Sequence, residues 1–342
     1  MPDAISNPHR LPSIVVPSHY RITLAPDLAE ATFSGSVEIE VEVGQSTGQI
    51  QLNSADLKIS SAWVLDAIGA RTDASGIEHD VDMERVTLGF SSELSPGAYT
   101  IGADFTGILN DQLHGFYRST FTDDDGIEHT IATTQFESTH ARRAFPCFDE
   151  PAFKASFGVT LDVPEGEFVV SNGPIVSETG LGNDLKRVLF EDTMVMSTYL
   201  VAFIVGPFEA TDPVDVDGVP LRIVHPVGKG HLTDYSLEAG AFALGFFAKY
   251  YDIPYPGQKL DMVAVPDFAF GAMENLGCIT YREVLLLVDK SRSTEPELLR
   301  VADVIAHEIA HMWFGDLVTM EWWNGIWLNE AFATFMATMS SD

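Results

Sequence analysis

The sequence predicts an α+β chain of more than one domain, in which an N-terminal antiparallel β domain precedes a domain that contains helices. The chain has 342 residues, which is more than most single hydrophobic cores accommodate. Runs in which apolar and polar residues alternate occur through roughly the first 210 residues, whereas apolar residues after them recur at helical spacing. Hydrophobic residues make up 46% of the chain and aromatic residues 11%, which excludes a wholly disordered protein.

The N-terminal region shows the period-two pattern of half-buried strands. Val37, Ile39 and Val41 alternate with glutamates, so one face of this strand is predicted to be buried and the other solvated. Comparable runs occupy residues 20–24, 99–105, 157–163 and 199–205. Turn-forming residues separate the strands, at 95–97, 125–126 and 172–173, which is typical of antiparallel sheets.

A domain junction is predicted at residues 211–218, where the sequence turns acidic and poor in apolar residues. Pro213 and Gly218 break regular structure there. We therefore expect two domains, residues 1–211 and residues 212–342.

One strand, at residues 219–224, is predicted to precede the helices of the second domain. The first helix is expected to end before Pro254, and its apolar stripe comprises Leu237, Ala241, Leu244 and Ala248. A second helix is predicted to begin at Thr294, because Glu297 three residues later completes a candidate capping box. Pro296 is tolerated in its first turn. A third helix is expected at about residues 326–336.

The charge balance is strongly acidic and argues against a nucleic-acid partner. Lys and Arg number 19 against 50 Asp and Glu, which gives a formal net charge of −31. Binding nucleic acid requires clustered cations that displace counterions. Such acidity favours solubility, and attraction of cationic peptide amino ends is a minor alternative.

Neither export nor membrane anchoring is predicted, so a cytoplasmic protein is expected. Residues 1–20 are interrupted by prolines and lack the apolar run of a secretory signal. The longest apolar stretches, at 199–208 and 239–247, are too short to span a bilayer. The two cysteines, Cys147 and Cys278, fit a reducing compartment, and a single bridge between them stays open as an alternative.

The predicted second helix contains the spacing H-E-x-x-H, formed by His307, Glu308 and His311. Four residues of helix bring the two imidazoles to one face, where both can reach one zinc ion at roughly 2.0 to 2.1 Å. The bare spacing is also compatible with a chance match on an amphipathic helix.

A third protein ligand is predicted on the next helix. A catalytic zinc site needs three protein ligands and one open position. Glu330 stands among aromatic and aliphatic neighbours in the third helical segment, and a carboxylate in apolar surroundings is costly unless a cation neutralises it. A surface glutamate is the alternative interpretation.

The chain resembles the zinc aminopeptidases of the aminopeptidase N type over nearly its whole length. The resemblance rests on four segments in family order: residues 134–137, residues 141–151, the run Gly271, Ala272, Met273, Glu274 and Asn275, and residues 307–316 with Glu330 after them.

The resemblance implies a partial thermolysin-like α/β zinc-peptidase domain after the β domain. It implies one Zn²⁺ ion held by His307, His311 and Glu330, with Glu308 as the general base for a zinc-activated water. The implied substrates are peptides with a free amino terminus, whose first peptide bond is hydrolysed.

In the family, the glutamate that matches Glu274 holds the substrate ammonium, and the one that matches Glu137 assists it. Both assignments agree with the need of an exopeptidase for counter-charges to that ammonium. Gly271 and Ala272 suit a strand edge that pairs with an extended peptide, although the residues alone favour an ordinary turn.

Several features depart from the family pattern. Family members continue well beyond the third ligand, so a C-terminally truncated chain is expected. The family's oxyanion-stabilising tyrosine belongs to that later portion, and losing one such donor typically costs about 100- to 1,000-fold in rate. Gly325 and His140 stand where aspartate is usual or frequent, and Ala331 where glycine is frequent. For residues 142–151 we expect ion pairs that hold the domains together.

Two other functions remain open from the sequence. A thermolysin-like endopeptidase would use the same zinc ligands and Glu308 but would not need Glu137 and Glu274. A non-catalytic binding module is the second alternative. The preferred first residue of the substrate and the oligomeric state are not indicated by the sequence.

Overall fold

In the computed structural model, which describes residues 8–123 and 125–341, the chain folds into four β-sheets and three α-helices. The prediction that residues 1–20 are not a secretory signal falls partly outside the described residues, since residues 1–7 are not among them. The first strands are β1 (Val15–Asp27), β2 (Thr32–Val43), β3 (Thr47–Asn53), β4 (Lys58–Asp66), β5 (Arg71–Asp73), β6 (Gly76–Asp80), β7 (Arg85–Leu94), β8 (Gly97–Ile108), β9 (Gly115–Thr122) and β10 (Glu128–Gln135).

The later strands belong partly to the first domain and partly to the second. They are β11 (Ser156–Pro164), β12 (Phe168–Ser171), β13 (Ile175–Gly182), β14 (Leu185–Phe190), β15 (Phe203–Gly206), β16 (Phe208–Ala210), β17 (Val214–Val216), β18 (Val219–Pro226), β19 (Leu260–Val265), β20 (Ala272–Met273) and β21 (Cys278–Arg282). The helices are α1 (Asp234–Tyr251), α2 (Glu295–His311) and α3 (Ile326–Ser341).

The first domain is built from three sheets, which confirms the predicted β-rich fold. An eight-stranded sheet has the order β13-β14-β11-β1-β2-β8-β4-β5, a four-stranded sheet the order β12-β15-β10-β9, and a three-stranded sheet the order β3-β7-β6. Their strand pairs are antiparallel except β1 and β11, which run parallel with Tyr20 opposite Phe157. The alternation predicted for residues 37–43 is confirmed in β2, where Val37, Ile39 and Val41 are buried. All three predicted turns lie between strands.

The strand predicted at residues 199–205 is wrong in its first half. Residues Thr198–Leu200 form a 3-10 helix, and the strand begins only at Phe203. Every residue from 196 to 206 is buried, so the run has no alternation that could separate the helical turn from the strand. An uninterrupted apolar run does not by itself distinguish the two.

The sheet of the second domain combines parallel and antiparallel strands. Its order is β16-β18-β19-β21-β20, with β17 paired to β18. The central strands β18, β19 and β21 run parallel, and β19 is buried along its whole length, as expected of a strand covered on both faces. Strand β17 lies within the predicted junction and β16 ends directly before it, and both pair with β18 of this sheet. The boundary at residues 211 and 212 stays a prediction.

The three predicted helices are present, with one correction to the stripe of α1. Its buried residues are Ser236, Gly240, Ala243, Leu244 and Phe247, so the predicted stripe is displaced by one position and only Leu244 is fully buried. Small residues at 236, 240 and 243 let α1 approach the sheet, and a Cβ atom on Gly240 would come within 2.6 Å of the Met262 side chain.

The ion pairs predicted in residues 142–151 exist, but they do not hold the two domains together. Arg142 Nε donates to Asp149 Oδ2 at 2.9 Å, and Arg142 Nη1 donates to Glu84 Oε2 at 3.1 Å. Glu150 pairs instead with Arg10, at 2.6 Å. All these partners precede residue 211, so the pairs stabilise the first domain internally.

The alternative of a disulfide is wrong, because Cys147 and Cys278 are both buried free thiols. Among the described helices, none combines the length and the hydropathy needed to cross a membrane.

Candidate metal centre

Helix α2 presents His307, Glu308 and His311 to a cavity that is lined by residues of both domains. The predicted capping box is confirmed at its start, where the Thr294 backbone N donates to Glu297 Oε2 at 2.8 Å. His311 is fully buried and Glu308 is 6% exposed. The histidines therefore lie on a helix whose start is fixed and whose last turn is enclosed.

Nitrogen and oxygen atoms of His307, His311 and Glu330 converge on one point. The two Nε2 atoms of the histidines are 3.0 Å apart. Glu330 Oε2 lies 3.4 Å from His307 Nε2, and Glu330 Oε1 lies 3.6 Å from His311 Nε2. Ligands about 2.1 Å from a tetrahedral zinc ion are about 3.4 Å from one another. The spacing and the N₂O donor set therefore fit a zinc ion.

A backbone carbonyl fixes the orientation of His311. Its Nδ1 lies 2.9 Å from the Phe314 carbonyl oxygen, which accepts a hydrogen bond from Nδ1–H and leaves the Nε2 lone pair directed at the candidate metal position. Metal-ligating histidines commonly donate their second ring nitrogen to such a carbonyl. Thr334 Oγ1 lies 3.4 Å from His307 Nδ1 and is the corresponding neighbour of the other ring.

The environment of Glu330 differs from the apolar one predicted. Its side chain is 44% exposed, because it faces an open cavity instead of a packed core. Partial burial raises its pKa, but hydrogen bonds with His307 and His311 outweigh this and hold the pKa of Glu330 well below its ordinary value. The two imidazoles, and not apolar surroundings, determine the charge state of this carboxylate.

A second group of acidic side chains adjoins the first. Carboxylate oxygens of Glu137, Glu274 and Glu330 lie within 4.8 Å of one another. Burial, and then the neighbouring charges of Glu274 and Glu330, raise the pKa of Glu137 to about 9. Glu274 is 3% exposed, and its Oε1 has no hydrogen-bond partner. Such proximity is costly unless a proton, as on Glu137, or a cation offsets the negative charges.

Burial also raises the pKa of Glu308 well above its ordinary value; His311 lowers it, and Glu274 raises it further. Glu308 is the residue after the ligand candidate His307, and it lines the same cavity as both histidines. Its carboxyl group therefore stands beside the candidate metal position and outside the convergent donor set.

The segment from Gly271 to Asn275 is a strand edge and not an ordinary turn. Ala272 and Met273 form β20, which pairs with β21 and is the last strand of its sheet. Ala272 and Glu274 line the cavity. Met273 is 1% exposed, and Asn275 Nδ2 lies 3.2 Å from Thr280 Oγ1, so these two side chains support the strand from behind.

All the acidic and imidazole groups named above open into one cavity of about 480 Å³. Its lining comprises Glu137, Ser138, His140, Phe270, Ala272, Glu274, His307, Glu308, His311, Ile326 and Glu330. Sequence reasoning missed Ser138, Phe270 and Ile326. The first two adjoin predicted site segments, so proximity in sequence was the available signal.

A larger groove of about 1030 Å³ on the first domain has no histidine or cysteine among its described lining residues.

Of the three positions that depart from the family pattern, one lines the cavity, and the other two adjoin lining residues in sequence, Gly325 before Ile326 and Ala331 after Glu330. A Cβ atom on Gly325 would lie 3.0 Å from Met320 Cβ, so a larger residue there needs a shift of the backbone. His140 lines the cavity. Ala331 is exposed on α3 and has room for its methyl group.

Two family models match the chain. The model described as the peptidase M1 N-terminal domain matches residues 16–200, and the model described as the peptidase family M1 domain matches residues 235–342. These matches agree with the β domain and with the histidine pair on helix α2, and together they define the chain as a metallopeptidase of this family. The chain belongs to peptidase family M1.

Curated relatives are similar along nearly all of this chain. The identity is 45% over 333 residues to aminopeptidase M1-C of Oryza sativa subsp. japonica, which covers 97% of this chain and 37% of the relative. The identity to aminopeptidase M1 of Arabidopsis thaliana is 44% over 343 residues. This alignment covers 99% of this chain and 39% of the relative. The identity to endoplasmic reticulum aminopeptidase 1 of Homo sapiens is 42% over 338 residues. This alignment covers 98% of this chain and 36% of the relative. The chain thus spans well under half the length of these relatives.

Proposed function

We propose that the protein is a zinc metalloaminopeptidase that hydrolyses the first peptide bond of peptides with a free amino terminus. One observation carries the proposal: Glu330 belongs to two convergent groups, the donor set with His307 and His311 and the carboxylate set with Glu137 and Glu274. The proposed ammonium site and the proposed metal site therefore share one carboxylate, Glu330.

Each residue has a proposed role. When bound by His307, His311 and Glu330, a single zinc ion would polarise the scissile carbonyl and activate water. Glu308 accepts the proton of the attacking water and passes it to the departing amine.

Glu137 and Glu274 bind the substrate ammonium by charge-assisted hydrogen bonds, and the open edge of β20 pairs with the extended peptide. The names of the aminopeptidase relatives support this assignment. The cytoplasmic location expected from the sequence is proposed with it.

The carboxylate set favours an aminopeptidase over the alternative of an endopeptidase. An endopeptidase binds uncharged peptide on both sides of the scissile bond, so Glu137 and Glu274, which do not bind the metal, would have no counter-charge from its substrate. A non-catalytic module would not need Glu308 buried beside the metal position.

The test is the variant Glu308→Gln. We expect it to retain one zinc ion per chain, measured by atomic absorption, and to lose about 1,000-fold in the rate of aminoacyl reporter release, because the proton acceptor is gone. Glu295→Gln, at an exposed position in the first turn of the same helix, is the matched control and should keep its activity. Normal turnover by Glu308→Gln, or activity of the wild-type protein that survives removal of the metal by a chelator, would refute the proposed mechanism.

A further inference from the structure

Residues 312–325, here called the linker segment, connect the two parts of the candidate metal centre. The segment begins directly after His311 and ends where α3 begins, one helical turn before Glu330. Apart from the 3-10 helix Trp323–Gly325, it has no regular secondary structure. Its conformation therefore contributes, together with the packing of α3 against α2, to whether the third ligand candidate reaches the first two.

Two residues of the β domain hold the first half of the linker segment. Lys154 Nζ donates to the carbonyl oxygens of Asp316 and Leu317, at 3.0 and 3.2 Å. The Tyr199 hydroxyl donates to the carbonyl oxygen of Gly315 at 3.3 Å. Tyr199 is 1% exposed, so its hydroxyl has no access to water as an alternative partner.

The carbonyl groups held in this way lie next to the ring of His311. Phe314, whose carbonyl orients His311, immediately precedes Gly315. Gly315 has φ of +145°, and a Cβ atom there would lie 3.2 Å from His311 Nδ1. The glycine backbone thus packs directly against the imidazole, and only glycine adopts this conformation without strain.

Tyr199 also contacts the second half of the linker segment. Its ring meets the ring of Trp323 edge to face, with centroids 5.4 Å apart. Trp323 lies in the 3-10 helix that leads into α3. One buried side chain of the β domain therefore touches both the part of the segment beside His311 and the part that sets the start of the Glu330 helix.

We propose that Tyr199 and Lys154 are positioning residues that hold the linker segment so that His311 and Glu330 converge on one metal ion. The β domain is then a structural component of the metal centre. The identity of the ion rests on the proposed function. Partners that orient metal ligands typically contribute about 10- to 100-fold in metal affinity when the contact is direct, and these two residues act one contact further away.

Zinc affinity of the whole protein, measured by competition with a chromophoric chelator, tests the inference. We expect Tyr199→Phe and Lys154→Met each to weaken zinc binding by about 3- to 10-fold. Lys154→Arg keeps a donor and should restore most of the affinity. In the cobalt-substituted protein, the visible absorption bands of Tyr199→Phe and Lys154→Met should shift, because the ligand arrangement changes.

Tyr117→Phe is the matched control. Tyr117 is also a fully buried tyrosine of the β domain, and its hydroxyl donates at 3.0 Å to the carbonyl oxygen of Asp267 in the second domain. This contact lies outside the linker segment, so zinc affinity should stay within twofold of the wild-type value. A general loss of domain contact would instead affect Tyr117→Phe as much as Tyr199→Phe, and that result would overturn the inference.

The two proposals fail in different ways. Zinc affinity that depends on Tyr199, in a protein without peptidase activity, supports the positioning role and overturns the proposed function. Peptidase activity of the wild-type protein, with unchanged zinc affinity and cobalt spectrum in both positioning variants, supports the proposed function and overturns the positioning role. A wild-type protein that binds no zinc overturns both.

Discussion

Two clusters of buried and partly buried charged side chains lie on either side of His140 in this molecule, and they differ in how their carboxylates are neutralised. In the first cluster, Arg142 joins Asp149 and Glu84. In the second, at the candidate metal centre, Glu137, Glu274, Glu308 and Glu330 converge, and none of them forms an ion pair with a lysine or arginine among the described residues.

The difference distinguishes a structural from a functional arrangement of acidic residues. A buried carboxylate that has its own arginine needs nothing from outside, and removing that arginine destabilises the fold. Carboxylates that share only histidines are stabilised by protonation or by a cation from outside the protein. Under the proposed function, a metal ion and a substrate ammonium are those cations, so the second cluster should respond to ligands and the first to unfolding.

The largest expected effect is on the first cluster. Arg142→Met should lower the free energy of unfolding by about 3–5 kcal/mol, because it leaves the fully buried Asp149 carboxylate without its charged partner. Urea unfolding at pH 7 measures it. Arg21→Met is the control, since Arg21 pairs with Glu40 at an exposed position and should cost less than about 1 kcal/mol. Equal losses in both variants would contradict the distinction between the clusters.

A smaller effect is expected when one carboxylate of the second cluster is neutralised. Glu274→Gln should lower kcat/KM for substrates with a free amino terminus by about 10- to 100-fold, since a charge-assisted hydrogen bond to the ammonium contributes about 1.5–3 kcal/mol. Hydrolysis of N-acetylated substrates should not change. Kinetics on matched free and acetylated peptides measure the ratio, and a ratio equal to that of the wild-type protein would favour the endopeptidase alternative.

The sequence predicted the local structure of the site well and its three-dimensional surroundings poorly. Capping box, histidine spacing and helix α3 follow from near neighbours in sequence, and the structure confirms that His307, His311 and Glu330 converge. The prediction of apolar surroundings for Glu330 is wrong, because neighbours in sequence do not reveal which side of a helix borders a cavity. The contacts of Tyr199 and Lys154 with the linker segment join residues more than 100 positions apart, and no periodicity encodes them.

His140 connects the two clusters and gives the smallest expected effect. It lines the cavity of the second cluster, and its Nδ1 accepts a hydrogen bond from Arg143 Nε at 3.2 Å. Arg143 in turn pairs with Glu84 of the first cluster. Partial burial, and then the nearby charges of His114, Arg143 and Arg142, lower the pKa of His140 to about 4. The imidazole is therefore neutral in the folded protein at pH values at which an unfolded chain binds a proton.

The sign of the resulting pH dependence follows from proton binding. An unfolded histidine has a pKa of about 6.5, so between pH 6.5 and 4 the unfolded state binds more protons and the free energy of unfolding falls as the pH falls. Since His140 is partly exposed, we expect the wild-type protein to lose about 1 kcal/mol more than His140→Gln between pH 7 and pH 5. Urea unfolding across this range measures it, and above pH 7 the two curves should run parallel. Parallel curves over the whole range would show that burial and the neighbouring charges do not lower the pKa of His140 in the folded protein.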